Sequence, residues 1–166
     1  DRVYGRALPV SGGTILQYWF WYYNNPKSFF TFGEHEGDWE MVQLRLDNSG
    51  TLQSAVYAQH DTAEKCVAAQ VSRTPSGRPI VYAAEGSHAS YFWAGDHKIV
   101  VSGWPGQWDY GDGLGGTIAP SLIDLAVPTQ WLDWPGRWGG TDGQTATSPH
   151  GPKFQSKFGD PIGFEN

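Results

Sequence analysis

The sequence holds a single cysteine, Cys66, which excludes an internal disulfide framework and a cysteine-based zinc cluster. Its neighbours Val67, Ala68 and Ala69 make it a small buried thiol. Positive charge is also scarce: 11 Lys and Arg stand against 17 Asp and Glu, a net charge of -6. A chain that tracks phosphates needs a basic stripe, so nucleic acid is not an expected partner, whereas cation binding is compatible. No apolar run is long enough to span a membrane as a helix, and no signal-peptide pattern is present. Peripheral contact with a membrane stays open. The chain starts at Asp1, not Met, which fits a mature secreted form and equally a domain excised from a longer protein.

What the sequence does contain is aromatic and punctuated. Aromatic residues reach 15%, with nine Trp, and 22 Gly and 11 Pro recur throughout its 166 residues. Bulky apolar side chains argue against disorder, and the punctuation argues for short strands joined by loops. The expectation is a single domain over residues 1–166 of all-β (β-rich) class. Its architecture is a two-sheet β-sandwich with long loops at one end and at most one or two short helices.

Thr14 to Tyr23 is β-branched and aromatic on both faces, which predicts a central strand covered on both sides. Asn24-Asn25-Pro26-Lys27 ends it. Asp47-Asn48-Ser49-Gly50 reads as a hairpin turn returning along Leu52 to His60. Thr62 to Gln70 is the one helical candidate. Ile80 to Ala84 is expected as a buried strand, with shorter strands at His97 to Val101 and Leu122 to Val127. The tail from Trp131 to Asn166 is expected to wrap the sheets as ordered loop, because Trp108, Trp131, Trp134 and Trp138 are poor candidates for solvent.

The organising stretch is Gly33-Glu34-His35-Glu36-Gly37-Asp38-Trp39-Glu40, which runs into Met41-Val42-Gln43-Leu44-Arg45-Leu46. A period of two puts Val42, Leu44 and Leu46 on one face. Carried backward, it puts Asp38 and Glu40 on that same apolar face and Trp39 on the other. Carboxylates at the mouth of a core are costly unless a cation or hydrogen-bond donors compensate them. The pattern therefore points to a metal or acid/base site on His35, Asp38 and Glu40, against the plainer reading of a solvated acidic loop with a bulge at Gly37. His60 and His88 each follow the end of an expected strand, the usual position for a site residue, and His88 is the stronger candidate for the same cavity. His97 and His150 are assigned no role. Asn24 and Asn25 are candidate oxygen donors, with turn chemistry before Pro26 as the competing account. Asp109-Tyr110-Gly111-Asp112-Gly113 is a weak match to a calcium loop and reads better as an exposed glycine-rich turn. A site dominated by oxygen favours Ca, Mg or Mn, and Zn enters if several imidazoles join.

Several segments occur in order: Tyr4-Gly5-Arg6, Leu16-Gln17-Tyr18-Trp19-Phe20, His35-Glu36-Gly37-Asp38-Trp39-Glu40, Gln59-His60, Gly86-Ser87-His88-Ala89 and Gly136-Arg137-Trp138-Gly139. In these the chain resembles the family of vacuolar protein sorting-associated protein sixty-two, over nearly its whole length. That resemblance implies a fold more than an activity. More distantly, the chain is similar to the necrosis- and ethylene-inducing peptide-like cytolysins, whose metal ligands follow an H-x-x-D-x-E pattern matched by His35, Asp38 and Glu40. The similarity implies a β-sandwich, a divalent cation, a glycolipid head group as ligand, and His88 as the later histidine of the cavity. Asn24 or Asn25 stands where those proteins carry an aspartate, and a lone Cys66 cannot supply their disulfide.

Three functions follow as expectations. The first is a metal-assisted or carboxylate-based hydrolase of a glycan or phosphate ligand, with Asp38, Glu40, His35 and His88 holding the cation and His35, Glu36 or His60 moving protons. The second is a non-catalytic module that binds glycolipid head groups or cell-surface glycans. In the third, the site only ties loops together.

Overall fold

The computed structural model describes residues 1–26, 34–60, 62–99, 108–111, 113–140 and 147–165. Lys27, Gly33, Trp104, Asp112 and the end of the strand expected at His97 to Val101 lie outside them.

The chain opens with three long strands, β1 (Arg2–Val10), β2 (Gly13–Asn25) and β3 (His35–Asp47), followed by β4 (Leu52–Gln59) and β5 (Thr62–Val67). These pair antiparallel in sequence order. Two ribbons follow, β6 (Tyr82–Ala83) with β7 (Ser90–Tyr91), and β8 (Gly95–Lys98) with β9 (Trp108–Gly111). The last strand, β10 (Ser121–Asp124), returns parallel to β1 and completes a six-stranded sheet ordered β10-β1-β2-β3-β4-β5. The tail adds 3₁₀ turns at Gln130–Asp133, Pro152–Phe154 and Gly163–Glu165 and one helical turn, α1 (Ser156–Gly159). The fold is mostly β and sandwich-like: one large sheet, with small ribbons over one face and the tail over the other.

Alternation along β2 and β3 creates two cores. On one face Val42, Leu44, Ala55, Tyr57 and Cys66 pack with Leu16, Tyr18 and Phe20 under Val71 and Phe92. The Tyr57 and Phe92 rings stack at 3.7 Å. On the other face Trp19, Trp39 and Met41 meet Trp131, Trp138, Phe158 and Phe164 of the tail. Both faces of β3 are buried from Gly37 to Leu44, where the alternation of Met41 to Leu46 alone reads as a half-buried strand, because the tail covers the second face.

Several local expectations are corrected. Thr62 to Gln70 is not a helix. Its first six residues form edge strand β5, because Ala63, Lys65 and Val67 alternate outward while Cys66 enters the core opposite Ala55. Pairing with a neighbouring strand outweighs the weak local helix preference of that stretch. The strand expected over Ile80 to Ala84 shrinks to Tyr82–Ala83, only partly buried. The late strands shift to Gly95–Lys98 and Ser121–Asp124. Trp108 and Trp134 are half exposed, at 49% and 47%.

The tail is fixed by buried amides as well as by aromatic packing. Gln17 and Gln43, both fully buried, lie opposite each other in the β2–β3 register. Gln17 Nε2 donates to Gln43 Oε1 at 2.7 Å and to Lys157 O at 2.7 Å. Gln43 Nε2 donates to Pro161 O at 2.8 Å and to Glu165 Oε1 at 3.1 Å. Arg6 donates to Gln17 Oε1 at 2.8 Å and to Phe158 O, and its guanidinium lies over the Phe158 ring. Burial lowers the Arg6 guanidinium to about 10. The amides satisfy tail carbonyls that would otherwise be buried without partners. Gln43→Leu therefore removes partners from Pro161 and Glu165 and should cost about 1–3 kcal/mol. Denaturant unfolding reads the loss, and faster proteolysis of the tail should accompany it.

Candidate functional site

At the N-terminal half of β3 the strand has no β4 partner: pairing with β4 begins at Val42. The segment from His35 to Glu40 therefore has β2 on one side and an open edge on the other. A cavity of about 470 Å³ lies at that edge, walled by Asn25, His35, Asp38, Glu40, His60 and Lys157.

Gly37 fixes the geometry. Its φ is +69°, a conformation that favours glycine. A β-carbon there would overlap the Trp138 carbonyl oxygen and the Trp21 ring. One at Gly139 would overlap the Glu36 carbonyl and Ser148. The two glycine-bearing motifs of the sequence thus meet backbone to backbone. Trp138 stands edge-on to Trp39 at 5.5 Å. Gly37→Ala should destabilise the fold by more than about 2 kcal/mol, through both strain and overlap. A fall in melting temperature together with weakened burial of the Trp fluorophores checks it.

Two histidine–aspartate pairs adjoin the cavity, with Asp38 and His60 in its wall and His88 and Asp109 outside the wall as their partners. His88 Nδ1 is 3.0 Å from Asp38 Oδ2, and the His88 ring stacks on Tyr22 at 3.9 Å. His60 Nε2 is 2.8 Å from Asp109 Oδ2. Both imidazoles sit on left-handed backbone, at φ +58° for His88 and +48° for His60. Non-glycine residues adopt that region at a cost of about 1–2 kcal/mol, which the surrounding contacts must offset.

Asp109 is the residue that sequence reasoning missed. Within the stretch read as an exposed turn, Asp109 to Gly111 belong instead to β9, in which Trp108 and Tyr110 face out and Asp109 is 4% exposed. Asp109 accepts hydrogen bonds from His60, from Ser87 Oγ at 2.7 Å and from Tyr91 OH at 2.7 Å. Burial raises its carboxyl, but the His60, Tyr91 and Ser87 donors outweigh that and hold it below the usual range. The only prior signal was the alternation of aromatic and small or acidic residues over 108–111. His97, given no role, is buried and stacks on Tyr91 at 3.7 Å, supporting the same ribbon.

The other candidates divide. Asp38 and Glu40 line the cavity. His35 does too, with Nδ1 2.6 Å from Gly37 O and Nε2 3.4 Å from the Asn25 amide. Asn25 is in the wall, whereas Asn24 is paired with Glu36 in the strand register. Glu36 is turned toward the tail, where its carboxylate accepts the Gly140 N–H at 2.7 Å. Among the described residues, no group of three or more His, Cys, Asp or Glu side chains is arranged as a ready metal cage.

Glu40 is the anomaly. It is 7% exposed, and its Oε2 has no hydrogen-bond partner among the described residues. Burial pushes its carboxyl well above the usual range, Lys157 pulls it back, and Asp38 and Asp109 push it further up. The same surroundings push the Tyr22 hydroxyl to about 12, through burial and then Glu40 and Asp38. A carboxyl raised in the folded state adds stability at low pH, and that contribution is lost as pH rises through its folded value. Wild-type stability should therefore fall as pH rises out of the ordinary carboxylate range. Glu40→Gln should remove that decline, seen as a flatter melting temperature against pH.

Residues 7–103 match the family described as Vacuolar protein sorting-associated protein 62. The chain belongs to that family. Its matched segment carries the acidic stretch, His60 and His88, while Asp109, Trp138 and Lys157 come from beyond it. No curated protein matches the chain. Among solved structures, it is similar to one described as "Toxin fold for microbial attack and plant defense", at 22% identity and TM-score 0.53, covering 99% of this family member and 67% of that chain. It is also similar to "NLPPya in complex with glucosamine" and "NLPPya in complex with mannosamine", each at 19% identity and TM-score 0.56, covering 100% of this chain and 67% of that one. This family member thus shares the fold of the necrosis- and ethylene-inducing cytolysin-like proteins. Among the described residues no helix is long and apolar enough to cross a membrane.

Proposed function

We propose that the domain binds a polar glycan-type ligand of the amino-sugar class in the cavity over Glu40, with a divalent cation held by carboxylate oxygens and water. The observation that carries this reading is the buried Glu40 oxygen without a hydrogen-bond partner, beside Asp38 and Asp109. A buried carboxyl of that kind is stabilised by an added positive charge or by added donors. An amino sugar offers both, as an ammonium group and as hydroxyls. The likeness in fold to proteins solved with glucosamine and mannosamine supports the same class.

The donor set fits a hard cation that keeps most of its waters. Glu40 has a free oxygen and Asp38 faces the same cavity, whereas His88 is engaged by Asp38 and His35 lies against the Gly37 carbonyl. Carboxylate oxygens in the wall suit Ca, Mg or Mn, while His88, bonded to Asp38 through Nδ1, keeps Nε2 as a nitrogen donor of the kind Zn takes. Such an ion would neutralise the carboxylates and present open coordination positions to hydroxyl groups.

Hydrolysis is the second reading, favoured by the His60–Asp109 pair. Asp109 accepts from His60 Nε2, and His60 Nδ1 makes no hydrogen bond among the described residues. An imidazole held in this way is oriented to accept a proton at Nδ1. Glu36, turned to the tail, is not placed to share that role.

Calorimetric titration separates these readings. Wild type should bind calcium, magnesium or manganese, and glucosamine more tightly in its presence. Asp38→Asn with Glu40→Gln should lose both by at least about tenfold. A wild-type protein that takes up neither ion nor amino sugar overturns the binding reading. Release of reducing sugar from a glucosamine oligomer, abolished in His60→Ala, would establish hydrolysis instead.

A further inference from the structure

Asp109 lies outside the family-matched segment and outside the cavity wall, yet both of its oxygens bond to residues of that wall. Its Oδ1 accepts from Ser87 Oγ at 2.7 Å, and its Oδ2 lies 2.8 Å from His60 Nε2. Ser87 and His60 both line the cavity. We propose that Asp109 is a specificity-determining residue: it takes the protons of Ser87 and His60, leaves only lone pairs on their side of the cavity, and so selects a ligand that presents a free hydroxyl there. This rests on the reading of the cavity as a sugar site and says which part of the sugar is recognised.

The first observation is where the hydrogens go. An ionised carboxylate has none to give, so every group bonded to it must donate. A serine hydroxyl has one hydrogen, and Ser87 gives it to Asp109. A neutral imidazole has one N–H, and His60 must carry it on Nε2 to reach Asp109. What remains for the cavity is acceptor-only. Among the described residues the Ser87 oxygen receives the Ala89 N–H at a long 3.4 Å, which leaves it a lone pair. His60 Nδ1 makes no hydrogen bond among the described residues. The ring is not closed off either: the His60 side chain is 28% exposed and that of Asp109 only 4%.

The second observation is that Asp109 cannot turn away. It is buried, and Tyr91 OH donates a third hydrogen bond to its Oδ2 at 2.7 Å. Its strand is docked on the same turn that carries Ser87, because the Glu85 N–H donates to Tyr110 O at 2.8 Å. Across the ribbon Asp109 pairs with His97, whose ring stacks on Tyr91 at 3.7 Å. His60 stands on left-handed backbone at φ +48°. A non-glycine residue stays in that region only where its surroundings fix it. The bond to Asp109 is what holds its ring.

The third is the rest of the wall. Asp38 and Glu40 belong to it, and Glu40 Oε2 has no hydrogen-bond partner among the described residues. Ser87 and His60 share one carboxylate, which makes them neighbours. An ammonium group suits the acidic side and a hydroxyl suits the Ser87–His60 pair. An amino sugar carries both donors on one ring. A site built to receive a hydroxyl rejects the sugar that lacks it, because the site's lone pairs are then left without a donor.

Two measurements test the proposal. Nitrogen NMR of the histidine rings at about pH 8, above the ordinary imidazole range, should find the His60 proton on Nε2 and Nδ1 bare. In Asp109→Asn the amide has hydrogens of its own to donate, so that tautomer should no longer be fixed. Calorimetry at a fixed calcium concentration then compares glucosamine with its monodeoxy analogues, each lacking one hydroxyl. The proteins are wild type, Asp109→Asn and Ser87→Ala, the last carrying the comparison where Asp109→Asn does not fold. In wild type one analogue should bind at least about tenfold more weakly than glucosamine. In the variants the same penalty should shrink to within about threefold. Loss of a merely structural prop would instead weaken glucosamine and every analogue alike. A His60 proton on Nδ1 in wild type overturns the proposal. So does the lack of a penalty for any analogue, or an undiminished penalty in either folded variant, while the sugar reading stands. If glucosamine does not bind wild type, the sugar reading falls and the selection falls with it.

Discussion

Strand β3 imposes the constraint around which the rest of the chain is arranged. Its alternation puts Asp38 and Glu40 on one face and Trp39 and Met41 on the other, and all four are buried. The tryptophan face needs apolar cover, which the tail supplies through Trp131, Trp138 and Phe158. The carboxylate face needs charge or donors, which the β6–β7 hairpin supplies to Asp38 through His88. Glu40 receives no hydrogen bond at Oε2 among the described residues, and this is where the fold leaves chemistry unfinished.

The two faces are coupled through the tail. The Gln17–Gln43 amides sit on the tryptophan side of the sheet and fix the tail by the Lys157 carbonyl of α1 and the Pro161 carbonyl after it. Holding α1 there brings Lys157 to the open edge of β3, opposite the carboxylates. Gly37 allows the close approach of the Trp138 carbonyl that seats the tail beside the acidic stretch. Burial energy spent on aromatic packing therefore positions a charge on the other side of the strand.

Much of this was legible from residues alone. The period of two from Met41 to Leu46, extended back, placed Asp38 and Glu40 correctly on the face of Val42 and Leu44, and Trp39 opposite. The aromatic run from Thr14 to Tyr23 marked a central strand because only a strand covered twice can bury both of its faces. Two kinds of information were hidden. Thr62 to Gln70 looks helical by composition, and only pairing with Ser54 to Gln59 makes its first six residues a strand. Asp109 looks like turn chemistry among glycines, and only tertiary contact with His60, Ser87 and Tyr91 reveals it as buried. Lys157 gives no local signal, since its place depends on amides more than 100 residues away in the chain.

The central claim is that burial, with no hydrogen-bond partner at Oε2 among the described residues, raises the Glu40 carboxyl above the ordinary carboxylate range in the free protein. Infrared difference spectroscopy between wild type and Glu40→Gln tests it directly. The spectra are followed as pH rises through the range in which solvated carboxyls lose their protons. The account predicts a protonated-carboxyl band in wild type that outlasts those of solvated carboxyls, is absent from the variant and disappears when a saturating cationic ligand is added. A wild-type spectrum without that band would mean that Glu40 is ionised and already compensated, and would contradict the account.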